Sequence, residues 1–158
     1  MKKLSISHIK ETAQQSPKGK YAVSRKAISL ALGGIKDVGV FGDGHPFDLE
    51  LAKVPPGCAA WPLHAHSAQW ELYVIVSGSG EARTASETVA VQAGDAFIHP
   101  PEEAHQLRNT GPDDLVYYVI ADNAVADVIH YPDSKKWVTK PQRKCFRMQE
   151  TEYYDWEE

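Results

Sequence analysis

The sequence predicts an all-β fold, an antiparallel sandwich or barrel of short strands. Three observations point there. From Pro55 onward, apolar segments are punctuated by "PPG", "SGSG", "QAGD", "PPEE" and "NTGPDD" at intervals of about ten residues, the rhythm of short strands joined by tight turns. Before them, "FDLELAKV" (47–54) alternates Phe47, Leu49 and Leu51 with Asp48, Glu50 and Ala52, as a strand with one buried apolar face does. No long amphipathic helix competes with these signals, and no internal repeat is present. At 158 residues the chain reads as one domain, long enough to bury a proper core.

Taken in order, residues 1–19 are polar with few apolar anchors, an arm expected to be mobile unless a partner chain holds it. "AISLALGG" places Ile28, Leu30 and Leu32 at alternate positions before Gly33–Gly34, a strand signal that a short helix capped by Ser24 would also satisfy. "FGDGHP" is a turn. The domain itself is expected over 20–124. Within it, "PLHAHSAQWELYVIVSG" (62–78) reads as an extended edge, a turn-like patch at Ser67–Gln69, and a strand from Glu71. "GDAFIHPPEEAHQLRN" (94–109) reads as a turn at Gly94–Asp95, a strand, a second turn at "PPEE", and a strand from His105. Residues 125–158 form an extension expected to pack on the barrel. Its tail is acidic but carries Phe146, Tyr153, Tyr154 and Trp156, which are expected to dock on a surface.

Composition narrows the function classes. Hydrophobic residues make up 42% and charged residues 24%, with a net charge of −4, and no basic stripe is available to meet nucleic acid. The longest apolar run, "LVYYVIA", is too short to cross a bilayer, and Lys2 and Lys3 lead into polar residues rather than a signal sequence. Cys58 and Cys145 form no CxxC pair, which fits a reduced, cytoplasmic protein. There is no Ser/His/Asp arrangement, phosphate-cradling glycine loop or dinucleotide fingerprint.

What remains is a set of imidazoles. In an extended segment alternate side chains share a face, so His64 and His66 point the same way, and a turn at Ser67–Gln69 lets Glu71 swing back to them. That stretch alone fits either a metal site or a solvated polar rim. His105 adds a third imidazole at the start of a later strand, where a closed barrel would bring it opposite the first pair. Three imidazoles and a carboxylate are a chelating set for a divalent transition metal, with two octahedral positions left open. Parity puts Tyr73 and Ile75 on the face of Glu71, so Tyr73 is either a ligand-binding hydroxyl or a satisfied core residue. His99 shares the face of Phe97, as a proton shuttle beside the site or as a structural histidine. Trp61 and Trp70 flank the ligand segment as pocket walls or packing residues. Gln106 and Arg108 fall on the face opposite His105, and Cys58 lies too far from the ligand face to be a nucleophile.

Gly57, His64, His66, Glu71 and Gly78, followed by Gly94, Pro100, His105 and Asn109, resemble the two signature motifs of the cupin superfamily. Within it, the chain is similar to small single-domain proteins of the conserved-barrel type. The motifs cover 57–109; "YPDSKKW" also looks like the segment that follows the barrel in one group of small cupins. The resemblance implies a double-stranded β-helix, or jelly-roll barrel. It also implies His64, His66, Glu71 and His105 as ligands of one divalent metal (zinc, nickel, iron or manganese), with Gly78 and Gly94 as turn residues. Two departures stand out: the first gap is one residue longer than usual, and Glu102 occupies a turn position that normally holds glycine. A residue with a side chain must take that turn. A homodimer is expected, since the segments at both ends could cover strand edges across a twofold axis.

The sequence thus names a site without naming a reaction, and no catalytic residue is assigned. Three readings stay open. One is a metal-dependent enzyme (a dioxygenase, decarboxylase or isomerase) acting on a small carboxylate, enediol or sugar-like molecule. The second is a non-catalytic protein that binds such a molecule at the metal. The third is a barrel whose metal only staples the fold.

Overall fold

Glycine and proline set the strand limits much as the sequence implies. The computed structural model describes residues 1–157, with strands β1 (Thr12–Gln15), β2 (Ala22–Ala27), β3 (Phe47–Val54), β4 (Ala65–His66), β5 (Glu71–Ser77), β6 (Ser79–Thr84) and β7 (Thr88–Gln92). They are followed by β8 (Ala96–His99), β9 (His105–Arg108), β10 (Leu115–Asp122), β11 (Asp127–Tyr131), β12 (Lys136–Lys140) and β13 (Cys145–Phe146). One short helix, α1 (Ile28–Ala31), follows β2. Among the described residues no helix is long and apolar enough to cross a membrane.

The strands form a six-stranded sheet in the order β1-β2-β3-β10-β5-β8, a four-stranded sheet β13-β12-β11-β4, and a three-stranded sheet β7-β6-β9. Each pairing between these strands is antiparallel. A buried core of Val23, Val54, Ile75, Leu107, Leu115 and Tyr117 lies between them at one end. Gly78 joins β5 to β6 at φ +81°, and a Cβ there would lie 2.5 Å from the Asp114 carbonyl oxygen, so only glycine fits that corner. These features make the chain an all-β jelly roll.

Four expectations change. The arm is not featureless: Thr12–Gln15 pairs with Ala22–Arg25 and extends the sheet by one edge strand. "AISLALGG" resolves as a single helical turn, preceded by Ala27 rather than capped by Ser24. On β3 the buried residues are Asp48, Glu50, Ala52 and Val54, while Phe47 is exposed and Leu49 and Leu51 are half-buried. The phase is the reverse of the apolar-inward reading, because the interior at this end is a polar cavity rather than packed core.

The fourth concerns the extension. Its first part, β11 and β12, does join the molecule through β4. Phe146 follows them on β13, paired with Trp137 of β12, but the end of the tail does not dock: Tyr153, Tyr154 and Trp156 are exposed. Glu150, Glu152, Asp155 and Glu157 favour hydration of that segment, Thr151 and Asp155 close a local turn, and the Tyr153 and Tyr154 rings meet edge-on.

Candidate metal centre

The two histidine segments meet through the backbone. His64 and His105 form an antiparallel bridge, with His64 N–H donating to the His105 carbonyl (3.1 Å) and His105 N–H to that of His64 (2.8 Å). His66 pairs with Ile129 of β11, and Glu71 opens β5 opposite His99 and Ala121. Residues forty positions apart in sequence are thereby fixed around one point. The donor atoms of His64, His66 and Glu71 all lie within 4.8 Å of one another. His66 Nε2 is 3.7 Å from Glu71 Oε1, His105 Nε2 is 3.0 Å from Glu71 Oε2, and the His64 and His105 rings are 4.6 Å apart. The turn at Glu102 survives its departure from glycine by taking φ +68°, with Glu102 N–H donating to the His66 carbonyl (2.7 Å).

Outer contacts fix which nitrogen of each ring faces inward. His64 Nδ1 donates to the Pro62 carbonyl (2.9 Å) and His105 Nδ1 to the Glu103 carbonyl (3.0 Å), acceptors that force the proton onto Nδ1. His66 Nδ1 is 2.5 Å from Asp127 Oδ2. Asp127 is itself held by Ser67 Oγ (3.1 Å), the Ala68 amide (3.0 Å) and the Lys140 ammonium (3.6 Å). In all three rings the Nε2 lone pair is left for the cluster, the arrangement that metal-binding histidines need. With Nδ1–H committed elsewhere, the contact between His105 Nε2 and the Glu71 carboxylate calls for a positive charge, which a divalent cation supplies. The donor set therefore fits a metal ion of borderline softness.

The electrostatics agree. Burial, aided by the neighbouring His105, lowers the pKa of His64 to about 3, so its ring stays neutral and able to ligate. Burial works to raise the Glu71 pKa, but the His105 contact, with the neighbouring His66 and His64 rings, outweighs it and holds the carboxyl well below the usual range. Tyr73 donates its hydroxyl to Glu71 Oε2 (2.7 Å), and burial together with that carboxylate raises the phenol pKa well above its ordinary value. Tyr73 thus orients the Glu71 carboxylate and lines the cavity beside it.

That cavity, about 540 Å³, runs from His64, His66 and Glu71 past Tyr73 and Trp61 to Glu50. His99 is not among the residues lining it. It is buried behind His105, stacked on that ring at 4.1 Å, with Nδ1 donating to Glu103 Oε1 (2.6 Å). It therefore backs the His105 ring, which likewise stands behind the cavity wall, next to Glu71. Trp70 is exposed outside it, and Gln106, although on the opposite face from His105, is buried and donates to the Trp61 carbonyl (2.7 Å). Cys58 is half-buried, with its thiol on the Gly19 carbonyl.

Sequence reasoning missed Asp127 and the charged inner wall of β3. No local signal marks Asp127, which lies 61 residues beyond its histidine. On β3, Ala52 and Val54 on the same phase as Asp48 and Glu50 were the available clue.

Residues 50–121 match the profile of the family described as "Cupin domain". A curated relative, an "Oxalate-binding protein" of Thermotoga maritima, is 34% identical over 68 residues, 43% of this chain and 55% of that one, so the match spans about half of that relative's length. Among solved structures, a sugar phosphate isomerase "from a cupin superfamily" of Silicibacter pomeroyi superposes with a TM-score of 0.77 at 18% identity, covering 92% of each chain. A "cupin 2 conserved barrel domain protein" of Rhodopseudomonas palustris gives 0.58 at 22% identity, covering 74% of this chain and 73% of that one. The profile match spans His64, His66, Glu71 and His105, and the wider jelly roll brings both motif segments to one cluster; residues 50–121 of this chain are a cupin domain of the conserved-barrel kind.

Proposed function

We propose that the protein holds one divalent transition metal (zinc, nickel, iron or manganese) through His64, His66, Glu71 and His105 and uses it to bind a small, oxygen-rich acid in the cavity. The observation that carries this reading is the convergence of the His64, His66 and Glu71 donors at one end of the cavity, with His105 Nε2 3.0 Å from the Glu71 carboxylate just behind them. A metal bound there supplies Lewis-acid polarisation of a coordinated carboxylate, enediol or carbonyl. The chain's own residues orient the set. Asp127, Pro62 and Glu103 fix the ring tautomers, Tyr73 fixes the Glu71 carboxylate, and Trp61 and Tyr131 form part of the cavity wall.

The relative named as an oxalate-binding protein supports capture of a small acid. Catalysis as a dioxygenase, decarboxylase or isomerase is the second reading, supported by the solved cupin named as an isomerase. Turnover of carboxylates and sugar-like substrates, with and without dioxygen, separates the two. The two free cysteines fit a cytoplasmic location. A homodimer is proposed through the outer face of the six-stranded sheet, where apolar residues line up in register across four strands. The test of the ligand set is elemental analysis of purified variants. His66→Ala and His105→Ala are expected to lose most of the bound metal and His99→Ala to retain it. Metal lost from His99→Ala but kept by His105→Ala would make the assignment of the second segment wrong.

A further inference from the structure

The inner face of β3 places two carboxylates inside the barrel. Asp48 and Glu50 are only 9% and 7% exposed. Glu50 accepts from Arg25 Nη1 (3.2 Å) through one oxygen and from Lys36 Nζ (2.5 Å) through the other, and Lys36 Nζ is 3.6 Å from Asp48. The Arg25 guanidinium sits 5.1 Å over the Trp61 ring. These four charged residues line the same cavity as His64, His66 and Glu71.

Stability does not explain this wall. Burying the two carboxylates against half-exposed cations costs desolvation that apolar residues of similar volume would avoid. Their hydrogen-bonding capacity is also incompletely used. Among the described residues, Arg25 Nε is the buried side-chain polar atom left with no partner, and Asp48 has only its long contact to Lys36. Two cations and two carboxylates sum to zero, so an anionic group placed here would meet as much repulsion as attraction. Neutral hydroxyls, which both donate and accept, match such a mixed wall. The volume points the same way: a two-carbon diacid leaves most of about 540 Å³ empty, and cavities of this size hold larger ligands.

We infer that Arg25, Lys36, Asp48 and Glu50 form a hydroxyl-binding subsite, and that the ligand is a polyhydroxy acid. Its acid group lies at the histidine–glutamate centre and its hydroxylated chain runs along β3. The inference rests on the metal-binding reading above and specifies what that site selects.

The test is calorimetric titration of zinc-loaded protein with glycolate, D-gluconate and 6-phospho-D-gluconate, with zinc content measured on each sample. Gluconate is expected to bind at least about tenfold more tightly than glycolate, the gain that one or two net hydrogen bonds give. Glu50→Gln and Lys36→Met should reduce gluconate to the affinity of glycolate while leaving glycolate binding and zinc content unchanged. The phosphorylated acid should bind no more tightly than gluconate. Should Glu50→Gln not fold, Asp48→Asn carries the same comparison, since Asp48 makes only the weaker contact to Lys36. Equal affinities for glycolate and gluconate on a zinc-replete protein would overturn the subsite alone. So would tighter binding of the phosphorylated acid that Lys36→Met abolishes. Failure to retain zinc, with no acid bound, would overturn the metal-binding reading and the subsite together.

Discussion

At the residue scale, burial keeps the His64 imidazole of the centre neutral, and that makes stability depend on pH. Burial and the neighbouring His105 lower the folded-state pKa of His64 from 6.5 to about 3. A depressed folded value means the stabilisation is present above the unfolded pKa and is lost as pH falls toward the folded one. Burial and His105 lower His99 as well, so two rings contribute in the same window. Glu71 and Asp127 are held low by their histidine contacts against burial, but their contributions fade only below the unfolded carboxylate values, nearer pH ~4. With a chelator present, the unfolding free energy should be flat from pH 8 to 7 and fall between about 6.5 and 5. His64→Asn, which cannot titrate, should reduce that slope by about one proton, ~1.4 kcal/mol per pH unit. Denaturant melts across the range measure it, and identical slopes in the two proteins would mean that His64 is not held neutral. His64, His66, Glu71, Tyr73 and His105 were legible because strand parity and the motif spacing locate them. Asp127, which sets the His66 tautomer, was not, because nothing local ties it to a histidine 61 residues earlier.

At the scale of elements, the sequence determines where strands run better than which way they face. Short strands from Pro55 onward follow their turn residues, yet β3 is turned over relative to its hydrophobic pattern. Alternation identifies a strand with two unlike faces, and the usual assignment sends the apolar face inward. Here the inner face lines a polar cavity, and Leu49 and Leu51 instead adjoin Ile120 and Tyr118 of β10 on the outside. The turn before β9 is a local counterpart. Glu102 sits at φ +68°, a conformation that costs an L-residue roughly 1–2 kcal/mol and glycine almost nothing. Part of the benefit of glycine is offset by its freer unfolded chain. Glu102→Gly should therefore stabilise the protein by up to about 1 kcal/mol in urea denaturation, with metal content unchanged, because the backbone bond to His66 does not use the side chain. A loss of stability would show that the glutamate side chain contributes more than its strain costs.

At the scale of the molecule, the reversed β3 leaves an apolar surface that one chain does not cover. Across the outer face of the six-stranded sheet, Leu49, Ile120, Leu72 and Ile98 lie in register, as do Leu51, Tyr118 and Val74. Val76 and Ile98 on this face are 47% and 52% exposed. Contiguous apolar surface of this kind marks an interaction face, whereas scattered exposed hydrophobics do not. A second copy is the simplest occupant, because a twofold axis through the sheet sets each row against its own equivalent and needs no other partner. Val76 and Ile98 are exposed enough to replace without disturbing the core, so Val76→Lys with Ile98→Lys places four like charges in the twofold interface. Light scattering should give twice the 17.5 kDa chain mass for the parent protein and a single chain mass for the double variant, with unchanged metal content. A monomeric parent would overturn the dimer. A dimeric double variant would place the contact elsewhere, and deletion of residues 1–19 would then ask whether the edge strand β1 holds the two copies together.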